Sequence, residues 1–196
     1  DNCRKDPTLG YLKLTNNQNG FTATASDTAI AVGCKKGSSL TARINAVLTS
    51  LSDAQKSALM EEIFTVNAGG TVAAYSVSAP APEHPTGTLK IAMECAYDPF
   101  NWTQTTDASG AVPIAGANGA GLYANGYDVQ IAKYIAYTLG MELEVYSVAW
   151  DSLIGGVESG TYDAVIAGMS PTEERREKLD FTAPYYSSNL VVIYRR

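Results

Sequence analysis

The feature that most constrains this chain is the alternation of strand-like and helix-like segments along its second half. The strand-like apolar runs are TLKIAME, ELEVYSVA, YDAVIAGM and SSNLVVIYRR, and the segments with helical spacing are NGYDVQIAKYIAYTLG, WDSLIGGVESG and TEERREKLD. Asp151 is expected to cap the second of these helices. Because strands joined by helical crossovers form parallel sheets, the sequence predicts an α/β fold with an open, mostly parallel sheet flanked by helices.

Three short segments follow the predicted strands and are candidate ligand sites. Open α/β sheets bind ligands in the crevice beyond the carboxyl ends of their strands. The rule indicates residues 94–102, the position of Trp150, and residues 168–175. We therefore expect a binding site built from these segments.

The third segment, AGMSPTEER, has the composition of a carboxylate-binding loop. Gly168 precedes a predicted helix start, and Ser170 with Glu173 has the spacing of a capping box. Free amides at a helix start attract anions, and Arg175 one turn later can hold a carboxylate through two parallel hydrogen bonds. The alternative is an ordinary capped surface helix in which Arg175 pairs with Glu173 or Glu174.

Two aromatic residues and one acid stand after the first two strands. Tyr97 and Trp150 are placed to sandwich a ligand, although packing in the core or at its rim is the usual role of a single aromatic residue. Glu94 is placed to hold an ammonium group, and the alternative is a solvated acid at a strand end. With Arg175, these groups suit a small zwitterion.

Residues 1–68 form a smaller piece with two strand-like runs, YLKLTNN and TAIAVGCKKG, followed by two helices. Ser38 or Ser39 is expected to cap the first helix, and Ser52 with Gln55 forms a capping box for the second. Two strands and two helices bury too little surface to be stable alone. The piece is therefore expected to dock on the rest of the chain or on a second chain.

Residues 69–88 separate the two pieces and are rich in Gly, Pro, Ser and other small residues. This composition is typical of a linker. A flexible linker of this kind leaves open whether residues 1–68 pack on their own chain or exchange with a neighbour.

Charge and residue counts exclude several classes of function. The chain has 14 Lys and Arg against 20 Asp and Glu, a net charge of −6, which argues against nucleic acid or an anionic membrane as the main partner. A single histidine, His84, rules out histidine-based triads and multi-histidine metal sites. Cys3, Cys34 and Cys95 lack C-x-x-C spacing, so we expect no metal and no cofactor.

No apolar run approaches the ~18 residues of a membrane-spanning helix. The first residues, DNCRKDPTLG, are polar and do not form a signal peptide. We expect that a signal peptide has been removed or that the sequence begins inside a longer gene product.

Several longer stretches resemble one known family. MECAYDPFNWTQ, NGYDVQIAKYIAYTLGMELE, AWDSLIGGVESGTYDAVIAGMSPTEERREKLDFTAPYY and SNLVVIYRR resemble, in order and spacing, the first lobe of amino-acid-binding proteins of bacterial ABC transporters. The resemblance covers residues 88–196 and is to the polar amino acid group of type II periplasmic-binding proteins. It implies that the sheet is one lobe of that fold.

The first residues resemble the opposite end of the same family. TAIAVGCKKGSSLTARINAVLTSL resembles the segment that returns from the second lobe and ends in helices, and DPTLGYLKLTNNQNGF resembles the last stretch of that lobe. The resemblance implies an antiparallel return strand, with Thr28–Val32 beside Leu190–Ile193. It divides the chain into a remnant of the second-lobe end (1–26), the return strand and C-terminal helices (27–68), a linker (69–88) and the ligand-binding first lobe (89–196).

This order is inverted relative to a family member, and most of the second lobe has no counterpart in the sequence. Two explanations are open. The chain is either an excised or permuted form, or it spans the end of one binding domain and the start of the next in a tandem transporter subunit. The linker composition favours the second explanation.

The resemblance also implies roles for individual residues. Arg175 corresponds to the residue that clamps the ligand α-carboxylate, helped by the backbone of Gly168 and Met169 and by the hydroxyl of Ser170. Ala167 and Gly168 replace serines of some relatives, which removes hydroxyl contacts to the ligand. Tyr97 and Trp150 correspond to the rings that flank the ligand side chain.

Glu94 takes the place where family members often hold an acid facing the ligand. The implied function is that of an extracytoplasmic, non-enzymatic solute-binding component of an amino-acid importer, with an ABC permease as its membrane partner. A ligand-sensing domain of a signalling protein would use the same contacts. A small-carboxylate dehydratase on the same fold would need a general acid or base, for which Glu94 and Cys95 are the candidates.

Overall fold

The structure of the chain, a computed structural model, describes residues 3, 6–13, 25–188 and 191–196. Its strands are β1 (Leu9–Lys13), β2 (Ala29–Ile30), β3 (Gly33–Lys35), β4 (Thr88–Met93), β5 (Ala96–Tyr97), β6 (Asn101–Gln104), β7 (Val112–Pro113), β8 (Tyr123–Asn125), β9 (Glu142–Ser147), β10 (Ala164–Val165), β11 (Leu179–Phe181), β12 (Tyr186–Ser187) and β13 (Val191–Arg195). Its α-helices are α1 (Ala25–Thr28), α2 (Ser39–Thr49), α3 (Asp53–Asn67), α4 (Tyr127–Thr138), α5 (Trp150–Glu158) and α6 (Glu173–Lys178).

A five-stranded sheet forms the centre of the fold, with the strand order β11-β3-β10-β4-β9. β4 runs parallel to both of its neighbours, β9 and β10. The crossovers β4–α4–β9 and β9–α5–β10 run in opposite directions along the sheet, so right-handed connections place α4 and α5 on opposite faces. The predicted open, mostly parallel α/β sheet flanked by helices is confirmed. β3, antiparallel to both β10 and β11, is the added strand.

The core lies between this sheet and the helices. β4 contributes Leu89, Ile91 and Met93, none of which exposes any surface. α4 contributes Ile131 and Ile135, one turn apart and equally buried. Burying each side chain of this size stabilises the fold by about 2 kcal/mol. The helical spacing of apolar residues in α4 therefore correctly predicts the face that packs on the sheet.

Side-chain caps fix the starts of the two N-terminal helices. Ser38 caps α2, its Oγ accepting a backbone N–H at 3.2 Å. Ser52 and Gln55 form both hydrogen bonds of the predicted capping box at α3. The prediction that Asp151 caps α5 is wrong, because α5 begins at Trp150 and Asp151 lies inside its first turn without a capping hydrogen bond.

The return segment joins the central sheet in a register that differs from the expected one. The sequence predicts pairing of Thr28–Val32 with Leu190–Ile193. In the structure β2 pairs with β12 and β3 enters the five-stranded sheet, whereas β13 pairs with β1. Leu190 and residues 14–24, which include part of the predicted strand YLKLTNN, lie outside the described residues. The strand that pairs with β2 is β12, which follows β11 and ends before the predicted partner, Leu190–Ile193, begins.

The predicted linker contains no helix or strand over residues 69–87, all of which are described, but it is docked on the protein. Tyr75 Oη donates to the carbonyl of Ser109 at 2.9 Å, and the N–H of Ser76 donates to Glu62 at 2.9 Å. Val77 is 2% exposed. These contacts hold the linker against α3 and against the segment before β7.

A second, four-stranded sheet of order β5-β6-β8-β7 lies beside the central one. Its strands are two to four residues long, too short to show a period-2 pattern in the sequence. β5 pairs with β6 so that Tyr97 lies opposite Asn101. This sheet therefore places Tyr97 just beyond the carboxyl end of β4.

Within the described part of the chain, no helix is long and apolar enough to cross a membrane. Cys3, Cys34 and Cys95 are free thiols. Burial raises the pKa of Cys34 to about 11 and that of Cys95 to about 12. Both buried thiols are therefore protonated and unreactive near neutral pH.

Candidate functional site

The carboxyl ends of β4, β9 and β10 meet at one edge of the central sheet. The N–H of Val148, just after β9, donates to the carbonyl of Met93 at 2.9 Å. The N–H of Ile166, just after β10, donates to the carbonyl of Ala92 at 3.2 Å. The three segments that the crevice rule indicates are therefore neighbours in space.

Arg175 and Trp150 are in direct contact at this edge. The guanidinium carbon of Arg175 lies 5.2 Å from the centroid of the Trp150 ring, within the range of a cation–π interaction. Arg175 Nη1 donates to the carbonyl of Ser170 at 2.9 Å. These two contacts hold the guanidinium over the ring.

The structure bears out part of the ordinary-helix alternative, because α6 is a capped helix with no buried residue, but it does not show the expected ion pair of Arg175. Among the described residues no carboxylate forms an ion pair with Arg175, so the expected partners Glu173 and Glu174 leave it available. The predicted capping box of Ser170 with Glu173 is also wrong. Thr172 is the N-cap of α6, and its Oγ1 accepts the N–H of Arg175 at 3.4 Å. Pro171 and Thr172 move the helix start two residues past Ser170.

Tyr97 packs directly on Gly168. A Cβ at Gly168 would lie 2.7 Å from Tyr97 Cε1, so the ring rests on the bare backbone. Gly168 has a φ of +61°, a conformation that L side chains rarely adopt. The Tyr97 ring also stacks on Phe100 with 5.3 Å between centroids, yet Tyr97 remains 45% exposed. The ring is thus supported from below and open to solvent above.

Met169 and Ser170 turn their side chains away from the open edge. Met169 is 1% exposed, and its carbonyl accepts the N–H of Ala31 at 3.1 Å. Ser170 Oγ donates to the carbonyl of Asp27 at 3.3 Å. The N–H groups of Met169 and Ser170 find no acceptor among the residues that the structure describes. This loop therefore offers two free amide donors near Arg175.

Glu94 directly follows β4 and is half-buried. Its carbonyl accepts the hydroxyl of Ser147 at 3.1 Å, which ties the end of β4 to the end of β9. Its carboxylate makes no hydrogen bond or ion pair with any described residue. An acid without a protein partner is thus present at the same edge.

Asp128, a buried acid that lies beneath the site, was not identified from the sequence. Asp128 exposes no surface and accepts hydrogen bonds from Tyr185 Oη at 2.6 Å and Asn101 Nδ2 at 2.8 Å. Burial raises the pKa of Asp128 to about 6, against the lowering effect of these bonds and of one from the Gly168 backbone. Its burial could have been predicted, because Asp128 lies one turn before Ile131 on the apolar face of α4, but its partners Tyr185 and Asn101 could not.

No group of three or more His, Cys, Asp or Glu side chains in the described residues could hold a metal ion. The arrangement can instead bind an anion through Arg175 and the two amides, and a flat or cationic group against Trp150 and Tyr97.

Residues 89–196 match the bacterial extracellular solute-binding proteins, family 3. The arginine-binding extracellular protein ArtP of Bacillus subtilis is 38% identical over 71 residues, 36% of this chain and 28% of that protein. A probable histidine-binding protein of Campylobacter jejuni is 33% identical over 101 residues, 52% of this chain and 33% of that protein. A solved structure of an ancestral arginine-binding protein bound to arginine is 35% identical, with a TM-score of 0.41 over 53% of this chain and 39% of that one.

The matched region spans about a third of the length of these curated relatives. In this chain the family match covers more than half of the sequence and contains the whole of the site described above. The chain therefore belongs to the bacterial extracellular solute-binding proteins, family 3.

Proposed function

We propose that residues 89–196 are the ligand-binding first lobe of the solute-binding component of an amino-acid ABC importer. One observation carries the proposal: the Arg175 guanidinium, the Trp150 ring and the Tyr97–Gly168 contact lie beyond the carboxyl ends of neighbouring strands. The relatives that support it are named as binding proteins rather than enzymes.

In the proposed complex Arg175 binds the α-carboxylate of the ligand. The Nη1 bond to Ser170 holds the guanidinium in place and leaves Nη2 and Nε as donors. The free N–H groups of Met169 and Ser170 add donors to the same anion. The hydroxyl of Ser170 contributes by exchanging its bond to Asp27 for one to the ligand.

The ligand side chain is proposed to lie between Tyr97 and Trp150, close to Glu94. The Tyr97 ring is 45% exposed and offers an open face that would attract a cationic ligand side chain. Glu94 supplies a carboxylate that no described residue neutralises. ArtP and the ABC transporter arginine-binding protein 1 of Escherichia coli are named for arginine, so L-arginine is the first ligand to test.

We further propose that the whole protein works outside the cytoplasm, with an ABC permease as its membrane partner. The description of the family as extracellular supports this location. The four-part division, with 1–26 as a second-lobe remnant, 27–68 as the return segment, 69–88 as the linker and 89–196 as the first lobe, remains part of the proposal. Exchange of a strand or segment with a second chain is also part of the proposal.

A single lobe leaves one side of the ligand in water. An exposed charge pair contributes roughly 0–1 kcal/mol, so the contacts above add up to weak binding. We expect a dissociation constant on the order of 1 mM for this chain, equivalent to roughly 4 kcal/mol.

The test is a titration of the ¹⁵N-labelled chain with L-arginine, followed by NMR at the Trp150 indole and the Gly168 amide. Both signals are expected to shift with the ligand. Arg175→Gln should abolish the shifts. Arg176→Gln is the matched control and should preserve them, because Arg176 is the next residue of α6 but lies over Phe181, 5.6 Å from its centroid. Equal losses in the two variants, or no shift with any basic or neutral amino acid, would refute the proposed function.

A further inference from the structure

One buried carboxylate joins three stretches of chain beneath the proposed site. Asp128 accepts hydrogen bonds from Tyr185 Oη at 2.6 Å and from Asn101 Nδ2 at 2.8 Å. The backbone of Gly168 lies close enough to lower the pKa of this carboxyl. Asp128 thus links α4 to β6 and to the chain that follows β11, and it lies beside the site loop.

These partners lead to both sides of the Tyr97–Gly168 contact. Asn101 is paired with Tyr97 across the β5–β6 ladder. Gly168 lies under the Tyr97 ring. Tyr185 donates its N–H to the carbonyl of Ile30 at 2.9 Å, which fixes it to the return segment. A change in the position or charge of Asp128 therefore affects both Asn101, which pairs with Tyr97, and Gly168, which lies under the Tyr97 ring.

Among the residues that the structure describes, no cation compensates the charge of this carboxylate. The titratable groups that face it are Tyr127 on α4, Cys95 before β5, and Tyr185, with Tyr186 beside Tyr127. Burial is the main cause that raises the pKa of Cys95, Tyr127 and Tyr185, so these three stay neutral between about pH 5 and 7. No described Lys, Arg or His contributes to the pKa of Asp128. Of this group of residues, only Asp128 therefore changes its charge between about pH 5 and 7.

The charge of Asp128 determines which way the side-chain amide of Asn101 points. Asn101 Nδ2 donates to Asp128, while Oδ1 is buried without a hydrogen-bond partner among the described residues. A charged carboxylate accepts only, so reversing the amide would set Oδ1 against it. A protonated carboxyl can donate to Oδ1, so protonation removes this preference. The strand that pairs with Tyr97 is then held less firmly.

We infer that Asp128 is a positioning residue of the amino-acid site, whose charged form holds the Gly168 loop and the Tyr97 ring in the ligand-binding arrangement. The inference rests on the proposed function. The charged form predominates above about pH 6 and is lost below it. Affinity for the amino acid is therefore highest at neutral pH and falls by about tenfold as Asp128 takes up its proton. By reciprocity, saturating ligand lowers the pKa of Asp128 by about one unit.

The experiment measures two things on the full chain between about pH 5 and 7. The first is the affinity for L-arginine, and the second is the chemical shift of the Gly168 amide without ligand. In the unchanged protein both should follow one transition near pH 6. In Asp128→Asn the amide shift should be constant with pH, and the affinity should stay at the weak acidic value. Asp163→Asn is the matched control and should behave like the unchanged protein, because Asp163 bonds the N–H of Lys90 instead.

Tyr185→Phe provides a second variant that keeps the carboxylate. It removes the 2.6 Å bond that stabilises the charged form, so the Gly168 transition should move to higher pH. The inference is overturned if the Gly168 transition is absent in the unchanged protein, survives in Asp128→Asn, or is unmoved in Tyr185→Phe. It is also overturned if Asp128→Asn binds L-arginine as tightly as the unchanged protein at neutral pH. Loss of binding in Arg175→Gln tests the proposed function separately, because the ligand-free transition does not depend on it.

Discussion

Gly168 shows how a single residue shapes the candidate site. It combines a φ of +61° with an approach of the Tyr97 ring so close that no Cβ fits. A serine at this position would add a hydroxyl for the ligand but would have to push the ring aside. Glycine at this position therefore gives up a hydroxyl that could bind the ligand, but it lets the Tyr97 ring lie at the site. The same backbone also lowers the pKa of Asp128, so Gly168 lies between the Tyr97 ring and that carboxyl group.

Gly168→Ala should weaken both the fold and the site. A left-handed conformation costs an L residue roughly 1–2 kcal/mol, and the added Cβ displaces Tyr97. We expect a lower free energy of unfolding in urea and smaller L-arginine shifts at the Trp150 indole. Gly155→Ala is the matched control: a Cβ at Gly155 has nothing within 4 Å, and alanine in a helix is favoured by roughly 0.5–1 kcal/mol. Equal stability changes in the two variants would contradict this account of Gly168.

The sequence predicts some of these residues and not others for a physical reason. Tyr97, Trp150 and Arg175 stand directly after strands, and the parallel topology alone brings them to one edge. Asp128 is an acid in the first turn of a helix, where such residues are common and usually exposed. Its role depends on Tyr185, which is remote in the sequence and meets it only in the folded chain. Contacts of this kind cannot be read from local spacing.

Among the described elements, the ribbon of β1 and β13 is distinguished by the exposure of its large apolar side chains. It is a separate two-stranded sheet, and every residue of β13 is exposed. Tyr11 is 54% exposed, Leu12 60% and Val192 46%. The apolar run in β13 predicts a strand. The sequence does not show that this strand is exposed, because its exposure results from pairing with β1 away from the central sheet. A two-stranded sheet with no covering layer is marginally stable in water.

Amide hydrogen exchange should detect this difference between elements. We expect the amides of β1 and β13 to exchange roughly a hundredfold faster than those of β4, because local opening of the ribbon exposes little additional apolar surface. Mass spectrometry of peptic peptides covering Leu9–Lys13, Thr88–Met93 and Val191–Arg195 gives the comparison. Equal protection of the ribbon and the central strand would mean that the ribbon is covered in solution.

Elements with a long periodic pattern are the ones that the sequence predicts well. The helices α2, α3 and α4 have stripes of apolar residues, α2 and α3 also have side-chain caps, and β4 and β9 are the longest strands of the central sheet. The small sheet of β5, β6, β7 and β8 is absent from the prediction because its short strands carry no periodicity. The register of the return segment is also mispredicted. It is set by where the chain after β11 turns back, which the sequence does not specify.

At the scale of the whole molecule, the buried charge of Asp128 opposes folding at neutral pH. The pKa of Asp128 rises from 3.8 to about 6 on folding. Between these values the folded state binds more protons than the unfolded state, so stability falls as pH rises through this window. Asp6 and Asp180 have the opposite sign, but hydrogen bonds lower the pKa of both below 3.8, so their contributions change only at lower pH.

The unchanged chain should therefore be more stable at about pH 5 than at about pH 7, by about 1 kcal/mol from Asp128 alone. Urea unfolding at the two pH values measures the difference. Asp128→Asn should remove it, since an amide carries no charge at either pH, whereas Asp163→Asn should retain it. A difference of the same size in Asp128→Asn would assign the pH dependence to another group. If the prediction holds, the acidic pH that weakens the proposed ligand site also stabilises the fold, and the loss of affinity cannot be attributed to unfolding.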